Sequence, residues 1–491
     1  MSADAAVAAP PEAWLLGHPR GLAVLVFAQV CESFSYYGMQ SLLVLYMGQR
    51  LLLHGHVEHV AGFGAFRAAI EAAYGPLSVP ALASVIFGFY AGGVYLTPIA
   101  GGLLADRMLG RTRTITLGAL LMAAGHFLMA FDVSFLAALA CLLVGVGCFK
   151  GNIASQLGEL YQPGDPRRAD GFQLFLLGVS VAVIAAPLVC GTLGQEVDWH
   201  LGFGAAGVGM LAGLAVYLAG RRWLPAEPVR RRRPDRDSPD RHRPGPATRA
   251  RLAPGEGRTV LVLVALLPAL ALSAVCNMEI FNAYLVWGDA NYDLVLLGRT
   301  MPVTWLIALD ALIASGMIVL SLAFWRWRAR HGSEPDEITK LAIGTLIAAF
   351  APLILALASW HEASSGHKVG LGWGLAFHVV NDIGFSNVLP VGLALLLARG
   401  ASGGLRPDDR GLLPAPVRRQ HGGRLARRPA AGDAGPAVLA AARRSGGAGG
   451  GHDPGCPHRL RPHPRARRVS RTGGAAAAGL SLPRVRQAGG L

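Results

Sequence analysis

Lysine is nearly missing from this chain: of 45 basic residues, only Lys150, Lys340 and Lys368 are lysines. Missing with it is the Gly-x-x-x-x-Gly-Lys-[Ser/Thr] loop that cradles nucleotide phosphates, which argues against a nucleotide-driven pump. The preference for arginine is what GC-rich coding alone can produce and carries no functional message. Paired cysteines are also lacking. Cys31, Cys141, Cys148, Cys190, Cys276 and Cys456 show no framework spacing, and five of them lie in apolar segments, so neither disulfides nor a metal site is implied. The first residues, MSADAAVAAPPEAW, lack the basic stretch and following apolar run of a secretory leader, and no cleaved signal peptide is expected. No nucleophile–base constellation is present, so an enzyme is not expected. Charge is scarce over most of the length. Of the net +15, about +14 falls in 399–491, where 18 arginines face four aspartates, and the rest is close to neutral. A charge so placed argues against nucleic acid as partner.

What the chain has in abundance is apolar sequence: 52% hydrophobic residues and a mean hydropathy of +0.41. Repeated apolar runs of bilayer-spanning length make it an all-α, polytopic membrane protein. Ten spans are predicted, at 21–48, 79–105, 114–131, 134–159, 171–192, 203–222, 258–287, 300–327, 338–360 and 370–398. Their connections alternate in charge. Arg107, Arg111 and Arg113, then Arg167 and Arg168, then the run 230–233, then Arg326, Arg328 and Arg330 follow the even-numbered spans. Loops such as GQEVDW, GDANYD and SWHEASS lie on the other side. The positive-inside rule makes the N-terminal segment 1–20 and the basic linker 223–257 cytoplasmic. The linker separates a six-helix bundle at 21–222 from a partial bundle at 258–398, and its Pro- and Arg-rich composition predicts disorder. The tail 399–491, dense in Gly, Pro, Arg and Ala, predicts disorder as well. Its 410–429 segment can be back-translated so that the neighbouring frame reads GVYYLHLFVGNMVVGWLGGL, a membrane helix where one is missing. A frameshift that replaced the last two helices is therefore expected, and resequencing the locus checks it.

The first span carries polar residues that hydrocarbon does not tolerate cheaply. Gln29, Glu32, Tyr36 and Gln40 are spaced by three, four and four, so they share one stripe of a helix. A carboxylate at membrane depth costs about 2.5–3.5 kcal/mol even on the gentler scales. Such a stripe either glues two helices together or lines a solute path. Lys150, alone in a Gly-rich span, must likewise face a cavity and needs an anionic partner. The loop 49–80 is polar and holds His54, His56 and His59, whose HxHxxH spacing has no sequence partner. No metal and no cofactor are assigned.

Residues 101–111, GGLLADRMLGR, are similar to the loop after the second helix of the major facilitator superfamily. Gly101 and Gly102 would let helices approach closely, and Asp106, Arg107, Gly110 and Arg111 would form a cytoplasmic gate loop. Within that superfamily, 34–47 (FSYYGMQSLLVLYM) and 145–175 (GVGCFKGNIASQLGELYQPGDPRRADGFQLF) resemble the proton-dependent oligopeptide transporters. GTLGQEVDWHLGFGAAGVGM, MPVTWLIALD and LPVGLAL extend the likeness over about 18–398.

The resemblance implies a major facilitator fold of twelve or more helices, of which about ten are recognisable. It implies import of di- or tripeptides, or related small zwitterions, by proton symport, in a bacterial inner (plasma) membrane, by a monomer bathed in lipid. Lys150 stands where the family's lysine meets the peptide carboxylate. Glu32 stands at the second acid of the ExxER motif, and Tyr36 and Tyr37 match tyrosines that line the peptide site. The departures are as informative. The motif reads Gln29, Glu32, Ser33; Gln40 replaces an arginine; Ser180 stands at an asparagine position; and Phe385 replaces the glutamate that faces the peptide amino group. Glu279 and Asp310 are candidate replacements. With no arginine beside it, Glu32 is expected to pair directly with Lys150. The competing expectation is a non-transporting, truncated remnant, since a half without its last two spans cannot bury its polar faces.

Overall fold

A computed structural model describes residues 17–162, 165–225, 256–296, 298–332 and 335–401, without the side chains of 256–260, 263 and 389–401. Most of the segment 1–20, the middle of the linker 223–257, and the tail 399–491 beyond 401, with its frameshift, lie outside the described residues.

The organising element is α1 (Arg20–Tyr46), prolonged by a π-helical turn at Met47–Leu51. Twenty of its 27 residues are buried, polar and apolar alike, which only a central helix can be. It packs against α6 (Arg167–Ala186) and α7 (Trp199–Ala219). Beside these stand α3 (Val79–Leu104), α4 (Arg111–Leu128) and α5 (Phe135–Glu159), with α5 against both α3 and α4. The α3–α5 crossing is closed by glycine. A Cβ on Gly101 would collide with the Gly147 carbonyl, and one on Gly147 would stand 2.8 Å from the Thr97 carbonyl oxygen. At the α4–α5 crossing, Gly118 and Gly145 stand in the same relation to each other's carbonyls, at 2.7 and 2.8 Å. Bare Cα atoms let backbones meet where lipid supplies no hydrophobic drive for association. Gly102, expected to share this role, faces open space instead, one step off the crossing stripe.

After the linker come α8 (Glu256–Ser273), α9 (Val275–Glu279) and α10 (Ala283–Asn291), then α11 (Trp305–His331), α12 (Glu337–Ala348), α13 (Ala351–Ser365) and α14 (Gly372–Ala401). The last packs against α11, α12 and α13. Two short strand pairs sit in the connections. β1 (Tyr292–Asp293) runs parallel to β4 (Val369–Gly370), with Tyr292 opposite Val369. β2 (Val295–Leu296) is antiparallel to β3 (Arg299–Thr300).

Among the described residues, seven helical stretches are long and apolar enough to cross a bilayer: Arg20–Leu51, Val79–Leu109, Asp132–Glu159, Arg167–Val197, Trp199–Ala219, Trp305–His331 and Glu337–Ser365. Large apolar side chains such as Leu96, Leu177 and Leu320 are more than half exposed on them. A contiguous surface of that kind belongs against hydrocarbon. The protein is a multi-pass membrane protein.

Two spans depart from the expected continuous rods, and a third is shifted. The one predicted at 258–287 is three helices, with Pro268 inside α8 and breaks at Ala274 and at 280–282. The Glu279 carboxylate accepts from Asn282 Nδ2 at 3.1 Å and from the Ala283 backbone N–H at 3.2 Å, so it caps the restart. The span predicted at 338–360 is interrupted between α12 and α13, where Pro352 enters the first turn of the second helix and can supply no backbone donor to the first. The third predicted span is displaced: α4 begins at Arg111 rather than at 114.

The loop predicted at 49–80 contains a helix, α2 (Phe63–Tyr74), bounded by Gly62 and Gly75, both at positive φ. It buries only Phe63 and Ile70, one above the other at i and i+7. Arg67 Nε donates to Glu71 Oε1 at 2.9 Å, and the same oxygen accepts the Leu77 N–H at 3.2 Å. The Arg67 side chain, then the Leu77 amide, hold the half-buried Glu71 carboxyl below its ordinary range. Folded Glu71 therefore binds protons less tightly than in an open chain, and acid opposes this closure. The hold is complete above the ordinary carboxylate range and is lost as pH falls through the depressed value. The Leu77 amide is expected to exchange hydrogen faster there, and Glu71→Gln is expected to remove the pH step.

Candidate substrate and proton-coupling site

Glu32 lies on the buried face of α1 and is wholly inaccessible. Its two oxygens differ. Oε2 accepts from Gln29 Nε2 at 2.8 Å and from Ser33 Oγ at 3.2 Å, and Gln29 also donates to Ser33 Oγ at 2.9 Å. Oε1 has no hydrogen-bond partner; the nearest cation is Lys150 Nζ of α5, 3.9 Å away. Lys150 is the less buried partner, with 30% of its side chain accessible. Its Nζ stands 3.8 Å from the centre of the Tyr36 ring, so the ammonium is shared between a carboxylate and an aromatic face. Tyr37 meets Tyr36 edge-on at 5.0 Å and reaches Phe281 at 6.0 Å, just before α10. One turn further along α1, Gln40 is buried with Oε1 unpartnered. Across from this stripe on α3, the buried Tyr90 hydroxyl and Thr97 Oγ1 also lack partners. The arrangement is a buried charge pair set among polar atoms still open for a ligand.

The other named residues sit elsewhere. Ser180 is half-buried on α6 and donates to the Leu176 carbonyl of its own helix, at 3.3 Å. Glu279 is engaged in capping, as above, and Phe385 is half-buried on α14. Asp310 is buried on α11 but faces His378 Nδ1 at 2.8 Å. In the gate loop, Asp106 and Arg107 are exposed on a π-helical turn, Gly110 takes φ +80°, which favours glycine, and Arg111 pairs with Glu159 at the end of α5. The histidines diverge: His56 Nδ1 lies 2.9 Å from Asp132 Oδ2, and His54 Nδ1 lies 3.2 Å from Glu58. Among the described residues, no group of three His, Cys, Asp or Glu is placed to hold a metal, and Cys31, Cys141, Cys148, Cys190 and Cys276 are free thiols.

Sequence reading missed Glu159, Tyr90 and Thr97, and on α14 the buried His378 and Asp382. It also missed His126, wholly buried on α4 with Nε2 2.5 Å from Ser35 Oγ. Polar residues inside predicted spans were the available signal for the last three.

Besides Tyr37 against Phe281, a group of contacts between the first seven helices and those after the linker lies where α1 ends. Gln49 Nε2 donates to Asp289 Oδ2 at 2.8 Å, Thr304 Oγ1 to Gln195 Oε1 at 2.9 Å, and Trp305 Nε1 to Thr192 Oγ1 at 2.8 Å. A Cβ on Gly191 would overlap the Thr304 side chain, so the backbones are in close approach there.

In three dimensions the chain is similar to a sulfate-bound mutant form of peptide transporter POT, with a TM-score of 0.64 at 24% identity over 80% of this chain and 87% of that one. The chain therefore shares the fold of that transporter. Residues 112–236 match the model of the POT family. Over 215 residues the chain is 38% identical to the uncharacterized transporter YclF of Bacillus subtilis (strain 168), covering 43% of this chain and 40% of that protein. Over 213 residues it is 39% identical to a di-/tripeptide transporter of Lactococcus lactis subsp. lactis (strain IL1403), covering 43% and 39%. The chain is thus similar to the POT family over residues 112–236. It matches about 40% of the length of these curated relatives.

Proposed function

We propose that this protein imports di- or tripeptides, or related small zwitterions, by proton symport. The observation that carries the reading is the buried Glu32–Lys150 pair under Tyr36. It is supported by the similarity to a di-/tripeptide transporter over 213 residues. The organisation proposed with it is a six-helix bundle at 21–222, a cytoplasmic linker at 223–257 and a partial bundle at 258–398. The arginine distribution supports a cytoplasmic N-terminus in a bacterial inner membrane. In that orientation the Gln49–Asp289 and Thr192–Trp305 contacts close the outer end.

The chemistry follows from the inequality of the two Glu32 oxygens. Oε2 keeps its hydrogen bonds whatever Lys150 does, whereas Oε1 depends on the ammonium alone. A substrate carboxylate that draws Lys150 to itself leaves Oε1 buried and unmatched, and a carboxylate so stranded takes up a proton. Substrate and proton are then loaded together, with Tyr36 and Tyr37 flanking the peptide and Gln40 offering its free oxygen. Rocking of the two halves about this point, with the 106–111 loop opening and closing, would deliver both inward.

The test is uptake by the purified full chain in proteoliposomes. An inward proton gradient is expected to drive accumulation of a labelled dipeptide, collapsed by a protonophore and competed by tripeptides but not by free amino acids. No accumulation above gradient-free liposomes would leave the truncated-remnant reading in its place.

A further inference from the structure

A second set of titratable side chains is buried away from the Glu32–Lys150 pair, along one stripe of α14. His378 is wholly buried at its centre. Its Nδ1 lies 2.8 Å from Asp310 Oδ1 on α11, and its Nε2 lies 2.9 Å from the Tyr284 hydroxyl on α10. A carboxylate can only accept, so Nδ1 carries the hydrogen and Nε2 receives that of the phenol. One helical turn earlier, Gly374 presents a bare Cα. A Cβ there would stand 3.0 Å from the hydroxyls of both Tyr284 and Tyr292, which share the space. One turn later, Asp382 is wholly buried, its Oδ1 accepting from Asn381 Nδ2 at 3.2 Å, and within electrostatic reach of Asp310. Positions 374, 378 and 382 fall on one helix face over about 12 Å.

A network that served packing alone would be satisfied throughout. This one is satisfied in its middle and open at both ends, where the Tyr292 hydroxyl and Asp382 Oδ2 are buried without partners. Among the described residues, no lysine or arginine is paired with either carboxylate, and His378 is the one basic side chain against Asp310. Around them stand Tyr284 from α10, Tyr292 from β1 and Asp310 from α11. Glu279, at the end of α9, lines an adjoining cavity of about 380 Å³ with Tyr284 and Phe377. The described part of α8 (261–273) carries no titratable side chain, and α12 brings Gly344 and Ala348 against Gly384. Lys340 of α12 lies over Trp325, beside Asn387 further along α14, and His361 of α13 stacks on Trp373 at the helix start. Asp310, buried against His378 Nδ1, and Asp382, with Oδ2 buried and unpartnered, are costly as bare carboxylates in a membrane interior, and each offers a place for a proton.

We propose that Tyr292, Tyr284, His378, Asp310 and Asp382 form a second proton-binding site, a relay along α14 ending at the two aspartates. It rests on the symport reading given above. A proton passed from Tyr284 to His378 Nε2 lets Nδ1 give up its own to Asp310. The phenol is made good from the Tyr292 side, so one proton moves inward and no charge is left behind.

The test uses the full chain in lipid and begins with a readout that needs no transport. Acid-minus-neutral infrared difference spectra are expected to contain a protonated-carboxyl band that disappears in Asp382→Asn, returns in Asp382→Glu and persists in Glu32→Gln. In proteoliposomes, Asp382→Asn and His378→Gln are expected to lower the ratio of gradient-driven accumulation to gradient-free dipeptide exchange. A band indifferent to Asp382→Asn, or accumulation and exchange falling in step in both variants, overturns the relay. Should Asp382→Asn not assemble, His378→Gln carries the ratio measurement alone. Absence of dipeptide uptake by the wild type would sink the symport reading, while the infrared band still decides this site.

Discussion

Lys150→Ala is expected to lower gradient-driven dipeptide accumulation by about a hundredfold, chiefly through a raised KM. The substitution removes both the counter-ion of a wholly buried carboxylate and the cation that would receive the substrate carboxylate. Stripping one partner from a buried pair costs about 3 kcal/mol at the low end, which is about two powers of ten in an equilibrium. Glu32→Gln is expected to fail differently. The amide keeps a similar shape for Gln29 and Ser33 but binds no proton, so uptake should lose its dependence on the pH gradient while the KM change is smaller. Initial rates measured against peptide concentration, at several imposed gradients, separate the two. Undiminished accumulation in both variants would remove the pair from the mechanism.

The second large effect is expected at the α3–α5 crossing. Gly101→Ala places a methyl group against the Gly147 carbonyl, where backbone rather than a flexible side chain would have to yield. Overpacking of this kind costs about 1–3 kcal/mol. The variant should melt well below wild type in detergent and elute with an aggregated fraction. Gly102→Ala, next along the helix and facing open space, is the internal control. It should melt with wild type or slightly above, since alanine favours the helix. Equal losses at both positions would show that helix propensity, not contact between backbones, decides here.

The stripe of α1 was legible because one helix carries it. Spacings of three, four and four fix a shared face whatever surrounds the helix, and burial of Gln29, Glu32, Tyr36 and Gln40 follows from that face turning inward. Lys150 could be matched to Glu32 because each was the isolated charge in the interior of its span, with Glu159 falling at the very end of the span that holds Lys150. The α14 cluster was not legible in the same way. His378 finds its partners 68 and 94 residues away, and helical periodicity says nothing about which helix will stand opposite. Hydropathy likewise hid the breaks near Ala274 and Pro352, because the residues on either side remain apolar while the backbone loses its continuity. The helix α2 escaped for the opposite reason. Its short apolar face, Phe63 and Ile70, is too slight to stand out from a polar loop. Gly101 and Gly102 look alike in sequence, and only the crossing point distinguishes them.

The glycine contacts have a consequence for the charge pair. Gly101 with Gly147, and Gly118 with Gly145, weld α3, α4 and α5 into one slab, and Arg111 with Glu159 pins a corner of it. Lys150 rides on that slab, whereas Glu32 rides on α1, which is seated mainly on α6 and α7. The 3.9 Å between them therefore spans a seam between two blocks, and slippage along the seam is felt as a change in attraction between the charges. Chemistry at the pair and sliding of the blocks are thereby geared to each other, so that loading the centre alters the grip of one block on its neighbour.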